Sequence, residues 1–96
     1  MTDVYKALAH PVRRNILKLL RAGPKSAGEI AEHFDLAKPT LSGHFTVLKD
    51  AGLVTVSRKG TTLTYRLNVS VLEESLAGFL DAFKVGKSGD KGGKGK

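Results

Sequence analysis

The sequence predicts a small, mainly α protein with one β-hairpin (α+β), its elements in the order ααααββα. Three observations carry that expectation. Apolar residues recur at helical spacing up to Leu48, alternate with polar ones between Val54 and Leu67, and return to helical spacing after Asn68. A chain of 96 residues leaves room for one small core.

Thr2 can cap a first short helix from Asp3 to about Ala9, whose Val4, Tyr5 and Leu8 fall on one side. Pro11 suits the first position of a second helix, because its missing N–H costs nothing there. Val12, Ile16, Leu19 and Leu20 form that helix's apolar stripe, and Gly23-Pro24 ends it. Ser26 and Glu29 stand at capping-box spacing and open a third helix with Ala27, Ile30, Ala31 and Phe34 as its buried face.

The link Asp35 to Lys38 leads to Pro39 at the start of a fourth helix, in which Leu41, Phe45 and Leu48 point inward and Gly52 follows as C-terminal cap. Two short helices joined by a tight turn make a helix-turn-helix unit. Val54 and Val56, then Leu63, Tyr65 and Leu67, alternate as two strands joined around Lys59-Gly60. A last helix starts near Ser70, with Glu73 as a capping-box partner, and carries Leu72, Leu76, Phe79, Leu80 and Phe83.

Composition narrows the partners. The formal charge is +7, which ranks nucleic acid ahead of acidic proteins and anionic lipid. The cations concentrate in residues 1–25 and 38–66, separated by acidic blocks at 26–37 and 67–85. Residues 1–85 are expected to form the domain, and 86–96, GKSGDKGGKGK, to form a flexible Gly/Lys-rich tail with nothing apolar to bury. No apolar run approaches the roughly 20 residues a membrane span needs, and the N-terminus lacks a secretory signal, so a cytoplasmic protein is expected. With no cysteine, a disulfide framework, a thiolate metal site and a cysteine nucleophile are excluded.

If Leu41, Phe45 and Leu48 face the core, a turn of about 100° per residue sends Pro39, Ser42, Gly43 and Thr46 to the opposite side, flanked by Thr40 and Lys49. Such a small, neutral face lets a helix approach the major groove. Ser and Thr hydroxyls can meet base edges or phosphates, and Lys38 can reach a guanine edge or a phosphate. Gly43 is costly inside a helix by about 1 kcal/mol relative to Ala, so either close approach compensates or the position is simply tolerated. His44 lies on the flank, as a half-buried packing or phosphate-contacting group rather than a metal ligand. Arg58, Lys59, Thr61 and Thr62 offer two cations and two hydroxyls to phosphates or the minor groove. Arg13, Arg14 and Lys18 lie on the polar side of the second helix, against flanking backbone or in solvent.

The first and last helices each carry an apolar stripe that one small core cannot easily cover. Val4, Tyr5, Leu8, Leu72, Leu76, Phe79, Leu80 and Phe83 are therefore expected to form a homodimer interface rather than pack only on their own domain.

Three segments, ALAHPVRRNILKLL, SAGEIAEHFDLAKPTLSGHFTVLKDAGLV and RKGTTLTYRLN, resemble the ArsR/SmtB-type winged-helix repressors in order, spacing and residue type across most of residues 5–68. The resemblance implies a winged helix-turn-helix homodimer built by its first and last helices, with the fourth helix reading a promoter and the hairpin serving as a wing. Base-reading positions then correspond to Lys38, Pro39, Thr40, Ser42 and Gly43, and the wing to Arg58, Lys59 and Gly60. Family members often carry a polar residue in place of Pro39 and a His or Arg in place of Gly43.

Many metal-sensing members carry a Cys-x-Cys in the third helix, and others place Asp and His ligands on the last. Here Gly28, Glu29 and Ile30 stand in the one, and Glu73, Glu74 and Asp81 without His in the other. His10, His33 and His44 lie on three elements without ligand spacing. No metal and no cofactor is expected, and the resemblance falls nearest the small cysteine-free members.

The expected function is thus a homodimeric, sequence-specific repressor of double-stranded DNA, with no inducer or partner protein legible in the residues. A winged-helix protein-interaction module and a sequence-tolerant architectural DNA-binding protein are the alternatives. No paired carboxylates, Ser-His pair or phosphate loop suggests an enzyme.

Overall fold

A computed structural model describes residues 3–84. Five helices and three strands follow in the order α1 (Val4–Leu8), α2 (Pro11–Arg21), β1 (Lys25–Ser26), α3 (Ala27–Ala31), α4 (Lys38–Asp50), β2 (Val54–Lys59), β3 (Thr62–Leu67) and α5 (Val69–Ala82). The expected helix and hairpin order is met, with one addition. Lys25 and Ser26 pair antiparallel with Tyr65 and Thr64, making a three-stranded sheet in the order β1-β3-β2. Two residues carry no periodicity, so this short edge strand leaves no signal in the sequence. The domain boundary at residue 85 and the tail 86–96 lie outside the described residues.

Three helix starts show which caps the backbone uses. Ser26 and Glu29 form the expected capping box: the Glu29 amide donates to the Ser26 hydroxyl at 3.1 Å, and the Ser26 amide donates to the Glu29 carboxylate at 2.8 Å. The Ser26 amide first, then the Ser26 hydroxyl, hold the Glu29 carboxyl below the usual carboxylate range, with the nearby Lys25 charge assisting. At α1 the cap is Asp3, whose carboxylate accepts from the Lys6 amide at 2.7 Å, in place of Thr2, which lies outside the described residues. At α5 the cap is Asn68 rather than Ser70, because the Asn68 amide oxygen takes the Val71 amide and starts the helix two residues early.

The core gathers one face from each of α1, α2, α3, α4 and the sheet, with Ala7 as the contribution of α1. Ile16, Leu17 and Leu20 of α2 meet Ile30 of α3, Leu41, Phe45 and Leu48 of α4, Leu53 of the turn after α4, and Val54 and Tyr65 of the sheet. Leu17 belongs to this core beside the expected stripe, while Val12 and Leu19 are half-buried at its margin. In α3 only Ile30 is fully enclosed; the helix ends at Ala31, leaving Phe34 half-buried in the following turn. Val56, by contrast, is exposed on the outer stretch of the hairpin. Ile16, Ile30, Leu48 and Leu53 are sealed from solvent, and truncating any of them to Ala costs about 2–5 kcal/mol.

Phe45 stacks on Tyr65 with ring centroids 4.4 Å apart, which fixes α4 against the sheet, and burial pushes the Tyr65 phenol above its ordinary pKa. Helix α4 ends in a Schellman turn. The Gly52 amide donates to the Lys49 carbonyl and the Leu53 amide to the Leu48 carbonyl, and Gly52 takes the φ of +79° that this turn requires. Among the described residues, no helix is long and apolar enough to cross a membrane.

Candidate nucleic-acid interface

The buried face of α4 decides what its other face can offer. With Leu41, Phe45 and Leu48 in the core, Pro39, Ser42, Gly43 and Thr46 stand on the exposed side, and Lys38, Thr40 and Lys49 flank them in solvent. A Cβ added at Gly43 would meet no atom within 4 Å, so in the free protein nothing requires glycine there. The Thr46 hydroxyl donates to the Ser42 carbonyl at 3.1 Å, which leaves its lone pairs for an incoming donor. Pro39 sits in the first turn, where its missing N–H removes no intrahelical bond.

The hairpin supplies a second arm. Lys59 pairs with Thr62, so the strands close through a two-residue tip, Gly60-Thr61, and Gly60 takes a φ of +62° that a side chain rarely adopts. Arg58, Lys59, Thr61 and Thr62 are all exposed. The pleat places Arg58 and Lys59 on opposite faces of the ribbon, one cation to each side of the tip.

Two arginines do other work than the sequence suggested. Arg13 donates from Nε to the Ala7 carbonyl at 2.8 Å and from Nη2 to the Lys6 carbonyl at 3.1 Å, and Arg14 donates to the Leu8 carbonyl at 2.7 Å. Together they bond the carbonyls of Lys6, Ala7 and Leu8, the last three of α1, whose intrahelical amide partners would lie beyond its end. Lys18 is exposed, as one of the two expected settings had it.

Two of the three histidines, separate in sequence, meet in space. The His10 and His44 rings lie 4.5 Å apart by centroid, while His33 is exposed elsewhere. Burial, then the neighbouring His10 and Arg13, hold His44 below the ordinary histidine pKa. Among the described residues no group of three His, Asp or Glu side chains stands close enough to hold a metal ion.

The terminal helices leave an apolar face open. Tyr5 of α1 packs on Phe79 of α5 at 5.3 Å and donates its hydroxyl to the Ser75 carbonyl, and Phe79 meets Phe83 at 5.0 Å. Yet no residue of α5 is buried: Phe79 is 44% exposed, Leu80 62% and Phe83 71%. Val4, Leu8 and Leu72 are half-buried at the margin of this face, and Leu76 is exposed within it.

Comparison with known proteins places this geometry. Residues 8–57 match a family model described as a helix-turn-helix domain. The chain is 43% identical to the transcriptional repressor SdpR of Bacillus subtilis (strain 168) over 86 residues, 90% of this chain and 96% of that one. The chain belongs to the ArsR/SmtB-type winged helix-turn-helix family. Among solved structures, a possible transcriptional regulator for arsenical resistance is similar at TM-score 0.77 and 34% identity, covering 86% of this chain and 85% of that one. The homodimeric winged helix-turn-helix domain of a possible ArsR-family regulator from Mycobacterium bovis is similar at TM-score 0.66 and 32% identity, covering 82% and 75%. For this ArsR-family chain, α3 and α4 are the helix-turn-helix and the β2–β3 hairpin is the wing.

Proposed function

We propose that this protein is a homodimeric, sequence-specific DNA-binding repressor, and the observation that carries the reading is the exposed small-residue face of α4. A helix presenting Pro39, Ser42, Gly43 and Thr46 can lie deep in a major groove, with Lys38, Thr40, His44 and Lys49 at its edges. The wing residues Arg58, Lys59, Thr61 and Thr62 then meet the adjacent backbone or minor groove. SdpR, similar over nearly its whole length, is named a transcriptional repressor, which supports the same role here in preference to catalysis.

The second copy is the natural cover for Tyr5, Leu76, Phe79, Leu80 and Phe83, with Val4, Leu8 and Leu72 at its edge. A homodimeric relative of the same fold supports that assembly. Two reading helices related by a twofold axis would address a palindromic operator with half-sites about 34–36 Å apart. A promoter-binding role and the lack of any membrane-spanning helix among the described residues support a cytoplasmic location.

Selection of bound duplexes from a random pool tests the proposal. A recovered inverted repeat supports it, and equal affinity for every duplex refutes sequence-specific reading in favour of an architectural role. Sedimentation of the protein alone over a range of concentrations separates the dimer from a protein-interaction module, which would remain monomeric with its apolar face open.

A further inference from the structure

Arg13, His10 and His44 converge where the end of α1, the start of α2 and the middle of α4 meet. The Arg13 guanidinium is engaged at all three nitrogens: Nε and Nη2 hold the Ala7 and Lys6 carbonyls, and Nη1 lies 3.2 Å from Nδ1 of His44. Arginine can only donate, so His44 accepts at Nδ1, which requires a neutral ring carrying its proton on Nε2. The His10 ring is tilted 53° against it, and its own Nδ1 accepts the Val12 amide at 3.1 Å. The groups facing His44 are thus a second imidazole from the segment before α2 and a guanidinium from α2. Among the described residues no carboxylate is hydrogen-bonded or ion-paired to it.

One guanidinium therefore ties the last turn of α1, the helix bearing Tyr5 of the apolar face, to the flank of α4. The tie depends on the charge of one ring. A proton on Nδ1 of His44 would turn the acceptor into a donor pointed at a cation, with no anion nearby to compensate. We infer that Arg13 and His44 are positioning residues for DNA reading: neutral His44 couples the setting of α4 to α1, and its protonation releases α4 and lowers discrimination between sequences. This rests on the DNA-reading role proposed above. It adds to that role a dependence on proton concentration, carried by a chain with no cysteine to sense redox state.

The test has two arms on the full chain. In the first, NMR of the protein alone follows the His44 ring nitrogens and the Arg13 Nε–H from about pH 8 to about pH 5.5. The expected result is that Arg13 and the last amides of α1 shift with the midpoint of His44. Independent titration overturns the inference without touching the proposed function.

In the second arm, affinity for a duplex selected from the random pool is compared with that for a scrambled duplex at constant ionic strength. The ratio is expected to fall about five- to tenfold over the same range for the wild type. It should stay constant with pH for H44Q, whose amide oxygen accepts from Arg13 but does not titrate. The H10N variant retains a capping acceptor at the start of α2 and should keep the wild-type slope, assigning it to His44. A flat wild-type ratio, or an equal slope in H44Q, overturns the inference. Absence of any sequence preference at every pH overturns the DNA-reading role itself, and the inference with it. Should H44Q fail to fold, the wild-type NMR coupling and wild-type ratio still decide the matter.

Discussion

Replacing Gly43 by Ala separates what α4 needs to fold from what it needs to bind. Gly43 lies inside a thirteen-residue helix, and an added Cβ would meet no atom within 4 Å. The free protein should therefore gain the full difference in helix propensity, about 1 kcal/mol per protomer. For a domain of this size that raises the melting temperature by about 4–8 °C.

On DNA the same methyl group stands between backbone and groove floor, and binding should weaken about tenfold, a loss of about 1.4 kcal/mol. Circular dichroism melting at fixed protomer concentration reads the first effect, and fluorescence anisotropy with a selected duplex reads the second. A variant that melts no higher than wild type would falsify the claim of open space around Gly43. A variant that melts higher and binds equally well shows that Gly43 does not face the groove.

The other predictions address separate parts of the molecule. Replacing both Arg58 and Lys59 by Ala should lower the slope of log affinity against log salt by about 0.9 for each phosphate that these cations neutralise, measured by anisotropy across a salt series. Leu80→Glu places a charge at a position 62% exposed in the single chain and should convert a sedimenting dimer to monomer with its helix content retained. Ser26→Ala removes the hydroxyl half of the capping box and should cost about 1 kcal/mol in urea unfolding.

Because the folded Glu29 carboxyl titrates below its unfolded value, its stabilisation is present above the unfolded carboxylate pKa and lost as pH falls through the folded one. Glu29→Gln should therefore flatten that acid limb. His44 is likewise held low in the fold, so its stabilising effect is complete above the ordinary histidine range and fades as pH falls through the folded pKa. The melting temperature of wild type should therefore fall relative to that of H44Q, which keeps the Arg13 acceptor and does not titrate, on acidification through that interval.

Much of this architecture could be read from local pattern. The Ser26–Glu29 box, the inward row Leu41, Phe45 and Leu48, and the Gly52 turn each depend on residues within one or two helical turns, where spacing determines geometry. The reading face of α4 followed from that inward row alone. What escaped the pattern depends on encounters across the chain. Nothing in the neighbourhood of Arg13 announces that its partners are the carbonyls of α1 and a histidine 31 positions further on. The pairing of Lys25 with Tyr65 needs the completed sheet. At α5 the sequence pointed to Ser70, and Asn68 caps instead because its backbone amide donates to the Leu53 carbonyl at 2.8 Å, a contact across the chain that fixes where the helix begins.

Ser26 has a consequence for how the protein opens. It is at once a strand residue paired with Thr64 and the cap of α3, held there by reciprocal bonds with Glu29. Loss of its position would unfasten the base of the hairpin and the first turn of α3 together. In native-state hydrogen exchange, the Glu29 amide and the β3 amides beside Thr64 should report one common opening free energy, distinct from that of the fraying hairpin tip.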